Sequence, residues 1–450
     1  MSHRADVATL ERVAGRLYEA IHDDAEERAC DDLPGDACRV VPGNVLWNVT
    51  SGAFTKLGEQ LANPGTVLPW VLGAVGAPAA FIGMLVPVKD AGSLLPQLAV
   101  AGRIRTAPRR APWWVWSAAA QVVALTLMAL AVASLSGVVA GLVVVAALAT
   151  FSVASGVGSV AFKDVMAKTV PKGERGRVLA LRATIGGLLG VAAGLFVRGS
   201  VDAAEARWPY VLILGTAALA FAVGAAAFAR VRESDGHTAG GRNALAEARA
   251  GVRFLREQSA FRAFVVARAL LLALPLAVPF ITLFGQKNVD SSLGSLGVFV
   301  IANALAATVS SPFWGRFADL SSHRTMGVAG ALGALAVVYA LAIGNAPDAW
   351  RSTLSYAPAF VLAGVAHGGV RLGRKTYLVD GPPARERPTY VAIANTSIGA
   401  ATVVGAAVGA MAGWLGSGGV LMVFGACIAV GAALAWRLPP ASEMVVDEEP

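Results

Sequence analysis

The chain has 450 residues, of which 56% are hydrophobic and 15% charged, with a mean hydropathy of +0.62; a soluble domain of this size is excluded. The formal charge of +8 is scattered through short segments between apolar runs rather than gathered on one face, so membrane topology accounts for it and no nucleic-acid partner is expected. Cys30, Cys38 and Cys427 give neither a disulfide framework nor a zinc spacing, and neither a metal nor a cofactor is expected.

Residues 1–43 form a polar segment in which Val7, Leu10, Val13, Leu17 and Ile21 recur at helical spacing, which predicts an amphipathic helix resting on the membrane surface. The segment is rich in Asp and Glu and has no continuous apolar run, so it is no cleavable signal peptide and the first span serves as its own insertion signal. A bilayer crossing takes roughly 20 apolar residues. Runs bounded by Pro, Gly and charge clusters predict spans at 44–73, 79–101, 112–133, 137–161, 178–199 and 207–229. A second six follow at 261–285, 293–314, 326–345, 356–378, 389–412 and 417–437.

Between the sixes, residues 230–260 open on SDGHTAGG and continue with Leu245, Ala248, Val252 and Leu255 on one helical side and arginines on the others. That pattern suits an interfacial helix. Residues 438–450 are an acidic tail. Lys and Arg concentrate in the loops after the second, fourth, sixth, eighth and tenth spans, including Arg374, Lys375, Arg385 and Arg387. By the positive-inside rule those loops, both termini and the central loop are cytoplasmic.

Ionisable groups within spans are costly unless paired or wetted, so they mark pathways and sites. In the first span Asn44, Asn48, Gly52, Lys56, Glu59, Gln60 and Asn63 recur at three- and four-residue steps, a polar stripe expected to face an aqueous cavity. Lys56 and Glu59 are one turn apart and can pair. The second span adds Lys89 and Asp90, the fifth Arg182, the seventh Arg268, the eighth Asn303, and the tenth His367 with Arg371 one turn on. Together with Gln60 these are the candidate substrate and coupling residues. Basic groups outnumber acidic ones, which favours carboxylate- or phosphate-bearing solutes, and Glu59 or Asp90 is the candidate proton carrier.

The two sixes are related. Gly315–Arg324 reads GRFADLSSHR, and Gly102–Arg110 reads GRIRTAPRR. Gly102 with Gly315, Asp90 with Asn303, and Gly156 with Gly369 all stand at one common separation, the mark of a duplicated half. A loop of the form G-x-x-x-D-x-x-x-[RH]-R after the second span of each half resembles that of the major facilitator superfamily of secondary transporters. The likeness covers nearly all of the chain after residue 43. In the first copy Gly102, Arg109 and Arg110 survive, but Arg105 or Thr106 stands where the aspartate would be.

The resemblance implies an all-α integral membrane protein of twelve transmembrane helices in two pseudo-symmetric six-helix halves, 44–229 and 261–437. It also implies a cytoplasmic gate at Gly102, Arg109, Arg110, Gly315, Asp319, His323 and Arg324. The glycine run of the fifth span, Gly186, Gly187, Gly190 and Gly194, lacks the proline common in drug and proton antiporters, and Thr150–Ala161 lacks an arginine common in proton-coupled members; the glycines are read as close packing.

The expected function is secondary transport of a small organic solute across the cytoplasmic membrane by alternating access, as proton-linked export, with no covalent chemistry. An importer or facilitator of an anionic metabolite is the alternative. A non-transporting membrane scaffold or sensor is the alternative of another class. Membrane lipid, a small-molecule substrate and protons are the expected partners, and a monomer the expected working unit.

Overall fold

A computed structural model describes residues 37–171, 175–199, 207–235, 252–289, 292–383 and 386–444. The N-terminal amphipathic stretch to residue 36, most of the central arginine-rich loop (236–251) and the last part of the acidic tail (445–450) lie outside the described residues. All regular structure among the described residues is helical. In chain order the helices are α1 (Ala37–Leu61), α2 (Val67–Ala74), α3 (Ala79–Thr106), α4 (Ala111–Ser134), α5 (Gly137–Thr169), α6 (Arg175–Gly199) and α7 (Trp208–Phe228). They are followed by α8 (Ser259–Leu271), α9 (Ala273–Asn288), α10 (Leu293–Leu320), α11 (Ser322–Gly344), α12 (Thr353–Asp380), α13 (Arg387–Ala410) and α14 (Ala412–Trp436).

Eight stretches among the described residues, not the expected twelve, are long and apolar enough to cross a membrane: α4, α5, most of α6, α7, α8 with α9, α11, most of α13, and α14. Large apolar side chains such as Trp116, Leu130, Leu142, Leu219, Val338 and Met422 point outward from them. A water-facing surface would not tolerate so broad an apolar skin, and lipid does. α1 and α12 have 25 and 28 residues, ample for a bilayer, but amide and charged side chains interrupt their apolar runs.

Several expected spans are corrected at their ends. The first, expected at 44–73, is α1 from Ala37, a turn, and the short α2. Pro64 has no N–H for the helix ladder, and the Asn63 Oδ1 accepts from the N–H groups of Gly65 (2.7 Å) and Thr66 (3.2 Å) instead. The seventh is broken between α8 and α9 at Leu272, because Pro275 cannot donate to the Leu271 carbonyl and its ring crowds it. α5 runs 33 residues, about 50 Å at helical rise, so it overshoots the hydrocarbon and carries Lys163, Asp164 and Lys168 beyond it.

α3, α10 and α12 overshoot likewise. Gly102, Arg103, Gly315, Arg316, Asp319, Arg374 and Lys375 therefore sit on helix and not in loops, and only Ser321 separates α10 from α11. In α14 the backbone turns at Gly416, whose φ of 68° is open to glycine and strained for other residues.

α1–α7 pack with one another as one set, and α8–α14 as a second. The neighbours recur. α4 lies against α5 and α7 as α11 lies against α12 and α14, and α3 meets α5 as α10 meets α12. The sets join chiefly where α3 meets α13 and α6 meets α10. The helices alternate in direction, so the bundle has a basic end, where α3, α5, α7, α10 and α12 finish, and an opposite end.

At the opposite end the sets touch backbone to backbone. A Cβ on Gly83 would lie 2.6 Å from the Gly409 carbonyl carbon, and one on Gly194 would lie 3.0 Å from the Gly297 carbonyl oxygen. Thr282 Oγ1 also donates to the Gly65 carbonyl across the sets at 2.6 Å. At Gly83 and Gly409 the missing side chains let the two backbones close directly.

Candidate functional site

The α1 stripe divides in two. Asn44 and Asn48 are buried and face protein rather than the cavity expected for them. Asn44 Nδ2 donates to the Arg232 carbonyl (3.0 Å), Arg232 N–H returns a bond to Asn44 Oδ1 (2.8 Å), and Asn48 Nδ2 donates to the Asn44 carbonyl. Gly52 leaves the room in which the Arg182 guanidinium lies, since a Cβ there would fall 2.2 Å from Arg182 Nε. Arg182 Nη1 donates to the Asn48 carbonyl at 2.8 Å, and its guanidinium sits 4.3 Å from the Phe162 ring centroid.

Further along α1 the stripe is more exposed. Lys56 Nζ pairs with Glu59 Oε2 at 2.5 Å, and the two side chains remain 49% and 39% accessible although the helix lies within the bundle. Lys89 and Arg182 also act on Glu59 as neighbouring charges. Gln60 accepts a long bond, 3.4 Å, from Asn303 Nδ2 on α10, so a polar contact joins the two sets here.

Asp90 on α3 has no ion-pair partner within 4 Å among the described residues. Lys89 and Arg374 are the charges acting on it. His367 on α12 has Arg371, Arg374 and Lys89 as its charged surroundings. Arg268 on α8 is 7% exposed and donates from Nη2 to Asn395 Oδ1 at 2.9 Å, while its Nε finds no acceptor among the described residues. Arg374 faces it as a like charge. The structure thus gathers Lys56, Glu59, Gln60 and Arg182 around α1. It gathers Lys89, Asp90, His367, Arg371 and Arg268 around Arg374, with Asn303 bridging.

Arg374 and Asn395 are absent from the sequence-derived candidates. Arg374 is hidden by being counted among cytoplasmic loop charges, although His367, Arg371 and Arg374 fall at four- and three-residue steps on one face of α12. Asn395 has no such signal.

The gate candidates behave differently in the two sets. Gly102 lies on α3. Arg109 Nε pairs with Asp235 Oδ1 at 2.7 Å on an exposed surface, and that hydrogen bond raises the guanidinium pKa further above its ordinary value. Arg110 is buried beside Asp164, 3.5 Å away. Glu233 Oε2 accepts from the N–H groups of Arg110 and Ala111 at the start of α4, both at 2.7 Å, and its Oε1 pairs with Lys168 at 2.8 Å. All of these belong to the first set and the chain just after it.

In the second set Gly315 and Asp319 lie on the last turns of α10, where Asp319 is exposed with no ion-pair partner among the described residues. His323 Nδ1 meets Ser321 Oγ at 3.2 Å, and Arg324 lies over Trp436 at 6.0 Å. Across the basic end Lys163 of the first set faces Lys375 of the second as a like charge. The apolar groove between α11 and α14, with Gly327, Leu332 and Trp436 in its wall, faces outward.

The family model of the Major Facilitator Superfamily matches residues 276–449. Among curated proteins, the uncharacterized protein Rv2209 of Mycobacterium tuberculosis (strain ATCC 25618 / H37Rv) is 27% identical over 374 residues, covering 81% of this chain and 71% of that protein. The uncharacterized protein Mb2232 of Mycobacterium bovis matches over the same shares. Among solved structures, a D-xylose-proton symporter superposes with a TM-score of 0.64 at 13% identity, over 89% of this chain and 99% of the symporter. A POT family transporter in complex with a thioalcohol-conjugated peptide gives 0.66 at 10% identity, over 90% and 98%. The xylose transporter XylE from E. coli, in an inward open conformation, gives 0.60 at 15%, over 90% and 96%. The second set thus matches the family's sequence model, and both sets share the fold of these solved transporters.

Proposed function

We propose that this protein is a monomeric twelve-span secondary transporter of a small organic solute, with both termini cytoplasmic, working by alternating access as a proton-linked exporter. The twelve spans are α1 with α2, α3 to α7, α8 with α9, and α10 to α14, six in each of two pseudo-symmetric halves. The recurring helix neighbours of the two sets support this reading. A single observation carries the function: Asp90 of the first set interacts with Lys89 and with Arg374 of the second, with the accessible Lys56–Glu59 pair next to Lys89, while the sets meet backbone to backbone at the opposite end. A site reached from one end and sealed at the other is half of an alternating-access cycle. The positive-inside rule makes the reachable end cytoplasmic.

Glu59 is the proton carrier in this reading. It keeps contact with water, and Lys56 is freed for solute whenever Glu59 takes a proton. A membrane potential contributes about 2.3 kcal/mol per charge per 100 mV to such a step. The test compares solute movement into inverted membrane vesicles under an imposed pH gradient. Glu59→Gln is expected to lower gradient-driven accumulation at least tenfold while leaving solute exchange without a gradient intact. Equal accumulation by the variant and the parent would remove the proton link from Glu59.

An importer or facilitator of an anionic metabolite is the second reading. It is favoured by the excess of cations, Lys56, Lys89, Arg182, Arg268, Arg371 and Arg374, over the two carboxylates. Accumulation in right-side-out rather than inverted vesicles would select it.

A further inference from the structure

In the second set, Ser259–Asn288, 353–379 and 389–410 hold Arg262, Arg268, Lys287, His367, Arg371, Arg374 and Lys375 and contain no Asp or Glu. Burying a guanidinium without a carboxylate is costly, and a single amide oxygen compensates it poorly. Arg268 is in that position: it is 7% exposed, with a bond to Asn395 and with Nε lacking an acceptor among the described residues. Arg374 adds a second cation beside it. Arg371 and His367 continue the same helix face, and Lys89 reaches His367 from the first set. Among the described residues the one carboxylate acting on Arg374 is Asp90, also from the first set, and it makes no close ion pair there. A guanidinium offers parallel N–H donors that match two oxygens of one carboxylate or phosphate.

We propose that Arg268 and Arg374, on α8 and α12, receive the carboxylate or phosphate group of the transported solute, with Asp90 as the intramolecular rival for Arg374. This deepens the transport reading and rests on it. The solute's anion takes over Arg374, and Asp90 is released from the second set, so occupancy of the site alters the attraction between the two sets.

The test measures binding to the full chain in nanodiscs of zwitterionic lipid at constant ionic strength, by calorimetry. The probes are benzoate, succinate, phenyl phosphate and the neutral benzyl alcohol. At least one anion is expected to bind saturably while benzyl alcohol does not. Arg268→Gln and Arg374→Gln are each expected to weaken that anion at least tenfold, and Asp90→Asn to tighten it about threefold. Should Arg268→Gln aggregate, Arg268→Lys keeps the charge but not the fork and is expected to weaken binding severalfold.

Saturable binding by none of the anions, equal binding of benzyl alcohol, or arginine variants with parental affinity would overturn the proposal. Repeating the titration in discs containing phosphatidylglycerol separates a soluble anion from a lipid headgroup. Unchanged affinity supports the solute site, and a tenfold loss overturns it in favour of lipid. Binding that follows this pattern in a protein that moves none of the probes into vesicles would sink the transport reading and leave the anion site standing.

Discussion

Gly102–Arg110 and Gly315–Arg324 hold corresponding places in the two sets, and their surroundings divide them. The first copy is tied down: Glu233 holds the start of α4 and Lys168 together, Asp164 lies by Arg110, and Asp235 holds Arg109. The second copy has Asp319 exposed and without an ion-pair partner among the described residues. The first copy lacks the aspartate, and a carboxylate from the chain beyond α7 occupies the helix start that it adjoins. A motif repeated in sequence has thus become a fixed clamp in one set and an unengaged charge in the other. That difference suggests that switching at the basic end belongs to the second copy.

Breaking the clamp is expected to have the largest effect. The Glu233 side chain is 2% exposed, and Glu233→Ala strands Lys168 and two N–H groups. Breaking a buried pair of this kind costs about 3 kcal/mol, read as a fall of several degrees in apparent melting temperature in detergent. An unchanged melting curve would show that the clamp holds nothing.

Asp319→Asn is expected to leave the melting temperature within a degree, since the carboxylate makes no ion pair among the described residues, yet to slow turnover roughly threefold to tenfold if Asp319 binds elsewhere in the cycle. Parental turnover would return the second copy to a purely topological role. Arg109→Gln, which removes the exposed pair with Asp235, is expected to change neither melting nor turnover measurably. A clear loss in either would extend the fixed clamp to the surface.

The helices, their alternation and the related halves are legible in the sequence because hydropathy and turn residues are local signals. Helix ends are less so. A hydropathy window closes where charges begin, and for that reason Asp319 reads as a loop residue while the backbone of α10 carries on. In the α1 stripe, Lys56 and Glu59 remain accessible. Asn44 and Asn48 do not, since Arg232, far along the chain, covers the first and Arg182 the second. Periodicity tells which residues share a face; what meets that face is fixed by remote segments.

The reciprocal bonds between Asn44 and Arg232 have a counterpart across the interval 236–251. There Phe254 stacks on Tyr390 at 4.3 Å and the Tyr390 hydroxyl bonds to Gln258 at 2.5 Å. Each flank of this interval is therefore fastened to its own set. A donor and an acceptor fluorophore at Ser234 and Val252 would report the separation of the two sets as an optical signal, without a label inside the bundle.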